Sequence, residues 1–157
     1  MTREEIELLF ARYRDAVARL DAQTLASLHS ERSVVDSPSG GTHTGREAIE
    51  QVYRSWFAAF PDLKVLAEQL VLEGDTVAVV MTFAGTDVGG FMGLAPTGRH
   101  FQFPSVFVFT VENGEIVREQ RIYDFTGMLV QIGVLKVKPA GDIAAAAVAR
   151  KDSQHAN

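Results

Sequence analysis

The sequence contains no cysteine. That excludes disulfides, zinc–thiolate sites and thiol nucleophiles. It has no run of lysine and arginine, and its net charge is -5. Phosphate binding needs a concentrated basic surface, so no nucleic-acid partner is expected. No apolar run approaches the roughly 20 residues that span a bilayer, so no membrane association is expected. The opening MTREEIELL is acidic and helical, without a basic lead into an apolar stretch. This predicts no secretory leader and a cytoplasmic protein. The histidines at 29, 43, 100 and 155 are scattered. They show neither HxH nor HExxH spacing, so no metal site is expected. GxGxxG, GxxxxGK[ST] and GxSxG patterns are missing too, which argues against phosphate cradling and against a nucleophilic serine.

What is present is a chain of 157 residues, 46% hydrophobic. That suits one domain with a substantial core. Thr2 and Glu5 form a capping box, and Ile6, Leu9, Phe10, Tyr13, Val17 and Leu20 follow at helical spacing. Asp21 caps a second, shorter helix through Leu28. Ser33 to Ser37 reads as a short strand before the turn Pro38-Ser39-Gly40-Gly41. Thr44 with Glu47 reads as another capping box. The helix it opens buries Ile49, Val52, Tyr53, Trp56 and Phe60 and ends at Pro61.

The second half reads as strands: 63–72, 76–83, 101–112 and 115–124. Gly85 to Arg99 is a glycine-rich loop. It suits a flap over a pocket mouth, with Phe91, Met92 and Leu94 as its apolar side, or a connection that only packs on the sheet. A short helix spans Phe125 to Ile132 and stops at Gly133. The expected organisation is one domain over 1–135, with a loosely helical or disordered tail over 136–157.

Asn113-Gly114 is a strong hairpin signal and predicts a register. With Glu112 opposite Glu115, Phe109 faces Arg118, Phe107 faces Gln120, Ser105 faces Ile122 and Phe103 faces Asp124. All of these share one face. The phenylalanines make it the inner one, since exposing them forfeits roughly 1.5–3 kcal/mol each. Asp124 is then a carboxylate in an aromatic wall. Desolvation would raise its pKa into the range useful for acid/base work, with Arg118 as a candidate partner. The alternative is that Asp124 merely caps the helix beginning at Phe125.

The stretches DSPSGGTHTGREAIEQVY, FPDLKV, GLAPTGRHFQF and VENGEIVREQRIYDFTGMLVQIG occur in this order. As a set the chain resembles the SnoaL-like polyketide cyclases, relatives of ketosteroid isomerases and limonene epoxide hydrolases, over about Glu5 to Leu135. The resemblance implies an α+β cone-shaped barrel. A strongly curved antiparallel sheet, wrapped by N-terminal helices, would enclose an apolar pocket. It also implies aldol-type ring closure without cofactor or metal, with one aspartate at the end of the last strand as acid/base; Asp124 falls there. Many members have tryptophan where this chain has Gln120, and His-Asp where it has Asp36-Ser37. Those departures imply a pocket of different shape and polarity.

Other residues complete the expected site. Tyr13 is a candidate oxyanion donor, and Gln120 a candidate polar orienter. Trp56, Phe60, Phe103, Phe107, Ile122 and Met92 are candidate walls, and Ser105 a hydrogen-bonding neighbour of Asp124. Each also has an ordinary core or turn explanation, as does Asp36, a possible second carboxylate. The leading expectation is a cyclase or isomerase acting on a hydrophobic, carbonyl-bearing small molecule. An epoxide-opening hydrolase and a small-molecule-binding module without chemistry are the rivals. An outer strip of Val106, Val108, Val117 and Tyr123 predicts a homodimer.

Overall fold

The computed structural model describes residues 1–136, so the expected tail lies, but for its first residue, outside the described residues. The element order is α1 (Arg3–Ala18), α2 (Ala22–Ser27), β1 (His29–Ser37), β2 (Gly41–Thr44), α3 (Arg46–Ala59), β3 (Lys64–Glu73), β4 (Thr76–Thr86), β5 (His100–Glu112), β6 (Glu115–Tyr123) and α4 (Phe125–Gln131).

The capping box at α1 forms as read. Thr2 Oγ1 accepts from the Glu5 amide, and the Thr2 amide donates to Glu5 Oε2 at 2.7 Å. The second box does not form. Thr44 is the last residue of β2, paired with Val34, and Gly45 caps α3 without a side-chain bond. Strand pairing claims the backbone that the cap would have needed.

The six strands form one sheet in the order β2-β1-β6-β5-β4-β3. It is unclosed, with β2 and β3 as edges. The expectation of a wholly antiparallel sheet needs one correction, because β1 lies parallel to β6. These strands are far apart in sequence, so the chain has room for the crossover that a parallel pair requires. Register shifts interrupt β1, β3 and β6. Such bulges bend and twist their strands, which curves the sheet. Its concave face buries Val77, Val79, Met81 and Phe83 from β4 and Phe103, Phe107, Phe109 and Val111 from β5. Ile6, Phe10, Tyr13, Ile49 and Tyr53 of α1 and α3 join the same core cluster.

Asn113 and Gly114 both have positive φ, 51° and 84°, as a two-residue hairpin turn demands. Glu112 faces Glu115 and Val111 faces Ile116, as the sequence predicts. The ladder then slips: Thr110 faces Arg118, so Val117 is an extra residue on β6. Beyond it every β6 side chain is on the opposite face from that expected. Phe109 faces Glu119, Phe107 faces Arg121 and Ser105 faces Tyr123.

The loop between β4 and β5 is a packed connection. Asp87, 1% exposed, accepts from the Thr97 amide and hydroxyl and from the Gly90 amide. Val88 and Gly89 donate to the Ala59 carbonyl at the end of α3. A Cβ on Gly89 would meet Ala58 O at 1.9 Å, so only glycine fits there. Phe91 is buried against Trp56 and Phe60, whereas Met92 and Leu94 are exposed.

Candidate functional site

The shift at Val117 decides which polar groups enter the cone. Glu119 is fully buried and Arg121 is 6% exposed. Arg121 Nε donates to Glu119 Oε1 at 2.5 Å. Tyr53, from α3, donates its hydroxyl to Glu119 Oε2 at 2.9 Å. His29, the first residue of β1, places Nε2 3.0 Å from the same oxygen and Nδ1 2.9 Å from the Leu25 carbonyl. Facing a carboxylate oxygen, Nε2 is the donor in that contact. Tyr13, from α1, lies 2.9 Å from the Tyr53 hydroxyl. Since Tyr53 spends its hydrogen on Glu119, Tyr13 is the donor in that pair, and its own lone pairs stay free.

This arrangement sets the protonation states. Burial alone would raise the Glu119 pKa, but the Arg121 charge and the His29 hydrogen bond outweigh it and hold it at about 2. Burial, then the Glu119 charge, pushes both Tyr13 and Tyr53 well above the usual phenol value. Burial opposes the Arg121 charge, yet Glu119 beside it keeps the guanidinium firmly protonated. A carboxylate fixed by three donors is a poor base. It holds Arg121 through Nε.

The cavity at this point is lined by Tyr13, Tyr53, Trp56, Phe103, Phe107, Arg121 and Tyr123, among others. Its free volume is only about 30 Å³. That admits one or two water molecules. The Arg121 guanidinium lies 4.7 Å from the Tyr53 ring centroid and 5.2 Å from that of Phe107. Its Nη2 is buried and has no hydrogen-bond partner. An orphaned cationic donor among aromatic rings is costly, which makes it the chemically conspicuous atom of the fold.

Several expected site residues are elsewhere. Gln120 and Ile122 are on the convex face, and Ile122 is 51% exposed. Asp124 does not enter the aromatic wall. It is exposed and caps α4, accepting from the Gly127 amide at 2.8 Å. Arg118 pairs with Asp36 at 2.6 Å rather than with Asp124. All four displacements follow from the extra residue at 117. Met92 is 59% exposed and lines a separate groove. Phe60 is core and does not line the cavity. Ser105 is buried on the inner face without a hydrogen-bond partner, two residues from the cavity-lining Phe103 and Phe107. Tyr13, Trp56, Phe103 and Phe107 do meet at the cavity.

Glu119, Arg121 and His29 were not singled out by sequence. One signal did exist: Glu119 and Arg121 stand two apart on a strand, where opposite charges neutralise each other on one face. Buried charges require such pairing. Asp124→Ala is expected to cost about 1 kcal/mol through the lost cap. Urea denaturation measures that cost, and activity of the folded variant is expected to be unchanged.

The model of the SnoaL-like polyketide cyclase family matches residues 7–132. The chain belongs to that family. Among solved structures, TsrD from Streptomyces laurentii is 26% identical with a TM-score of 0.75, the match covering 86% of this chain and 99% of that one. IdmH from Streptomyces antibioticus, a candidate polyketide cyclase, is 30% identical with a TM-score of 0.67, covering 81% and 97%. A Catenulispora acidiphila protein with a ketosteroid isomerase-like fold, 21% identical with a TM-score of 0.70 over 83% and 97%, shares the architecture. A comparison with curated proteins finds no match. No described helix is long and apolar enough to cross a membrane.

Proposed function

We infer that the chain moves a proton beside a carbonyl of a flat, apolar small molecule, in an aldol-type ring closure or an isomerisation. The observation that carries this reading is Arg121, which lines the aromatic cavity and whose buried Nη2 has no partner. A substrate carbonyl oxygen accepts a hydrogen bond from Nη2. As the neighbouring C–H proton leaves, charge gathers on that oxygen, and the guanidinium stabilises it more strongly than the neutral ketone. Water accepts the proton. In ring closure the enolate carbon bonds to a second carbonyl carbon, and the resulting alkoxide takes the proton back. Aromatic walls favour a planar substrate.

The test is hydrogen–deuterium exchange at the carbon beside the carbonyl of 1-tetralone, followed by NMR. Acceleration over buffer is expected, and exchange at the buffer rate would overturn catalysis. A binding role without turnover is favoured by one observation, the locking of Glu119 by three donors. It predicts bound ketone with no accelerated exchange. Epoxide opening calls for a second carboxylate across the arginine, and among the described residues none lines the cavity.

The convex face carries Val80, Val106 and Ile122 in direct register across three strands. Val80 and Ile122 are 42% and 51% exposed. Tyr123, expected in this strip, points inward instead. A second copy of the chain is the occupant we assign to this face. Sedimentation at micromolar concentration is expected to give twice the chain mass, and Ile122→Asp to give the chain mass alone.

A further inference from the structure

The cone cavity is too small for the substrate proposed above, since ligand pockets ordinarily span about 300–1,000 Å³. A groove of about 420 Å³ lies next to it, between α1 and the strands β3 and β4. Tyr13, Val17, Leu63 and Phe83 line both spaces and are all that is shared between them. The groove is walled mainly by apolar residues, Phe10, Val65, Leu66, Val79 and Met81, with Lys64 also in its lining. Arg14 and Glu68 face each other across its rim, with Nη1 3.3 Å from Oε1. The register shift between Val65 and Ala67 leaves Leu66 out of the β3 ladder, with its side chain 49% exposed.

We propose that this groove is the second half of the substrate site and takes the elongated apolar body of a molecule whose carbonyl end reaches Arg121. The inference rests on the proposed role of Arg121. Rotamer changes at the four shared residues would join the two spaces without moving a strand. Tyr13 is the hinge of the arrangement. It lines both groove and cavity, and its hydroxyl reaches Tyr53 and through it Glu119. The carbonyl end then meets Arg121, and the body remains where water leaves mostly apolar surface. The loop at 87–99 is bound to α3 and leaves the groove uncovered. The substrate class is therefore an extended, largely hydrocarbon ketone rather than a compact one.

The test compares 1-tetralone with 6-hexyl-1-tetralone, by calorimetry, on the wild-type chain and on Leu66→Trp and Ala18→Trp. Both positions line the groove and are exposed, so the larger side chains fill it without entering the core. The hexyl chain is expected to tighten wild-type binding by about ten-fold or more. Each tryptophan variant is expected to abolish that gain, so that the two ketones bind it with equal affinity. A wild-type chain indifferent to the hexyl group, or a gain that survives in both variants, would overturn the groove assignment and leave the Arg121 site standing. Failure of both ketones to bind the wild-type chain would overturn the two together.

Discussion

Arg121→Lys is expected to slow carbonyl-adjacent proton exchange by about two to three orders of magnitude, the usual effect of removing one oxyanion donor. The substitution keeps the buried charge, so Glu119 retains a partner. An ammonium is a compact point charge, however, and lacks the planar fork by which arginine serves two directions at once. In the native protein Nε holds Glu119 while the buried Nη2 has no partner. Lysine satisfies Glu119 and leaves nothing for the ligand. The loss is expected in kcat more than in KM, because the donor matters most when charge has developed on oxygen. Denaturation run in parallel separates this from unfolding. A lysine variant with wild-type kcat would remove Arg121 from the chemistry.

Glu119→Ala is expected to destabilise the fold by about 3–5 kcal/mol, the cost of stranding one member of a buried pair. Arg121 loses its counter-charge, and Tyr53 and His29 lose their acceptor. Against a typical total of about 5–15 kcal/mol this is a large fraction, readable in urea at pH 7. The same carboxylate makes stability depend on acid. Its pKa falls from 4.5 to about 2 on folding. Its contribution is therefore fully present above pH 4.5 and is lost as the pH drops from there through about 2. The shift corresponds to roughly 3 kcal/mol. The gap between wild type and Glu119→Gln is expected to narrow steadily over that window. A gap independent of pH would show that Glu119 is not ionised in the fold.

Most elements were legible because local signals and tertiary packing agree. The α1 stripe, the Asp21 and Asp124 caps, the Asn113-Gly114 turn and the alternation of β4 and β5 all concern residues whose neighbours in sequence are also their partners. The parallel pairing of β1 with β6 was not legible, since nothing local to either strand encodes it. The site failed for a smaller reason. Hairpin arithmetic held for the first two pairs and then met an extra residue in an apolar pair, Ile116-Val117, where either residue suits the core. One slip transferred the inner positions of β6 from Arg118, Gln120, Ile122 and Asp124 to Glu119, Arg121 and Tyr123. His29 was overlooked because its significance depends on Glu119, which is 90 positions away.

The bulge makes the chemistry of this interior a matter of parity. A hairpin in which Val117 paired regularly with Thr110, without the bulge, would keep the turn, the helices and the phenylalanine wall in place. It would also turn the end of β6 inside out, withdrawing a cation and its counter-ion and presenting an amide, an isoleucine and an aspartate instead. Within such a scaffold, a bulge that forms or closes beside a hairpin is a shorter route to new reactivity than any series of point replacements at the site itself.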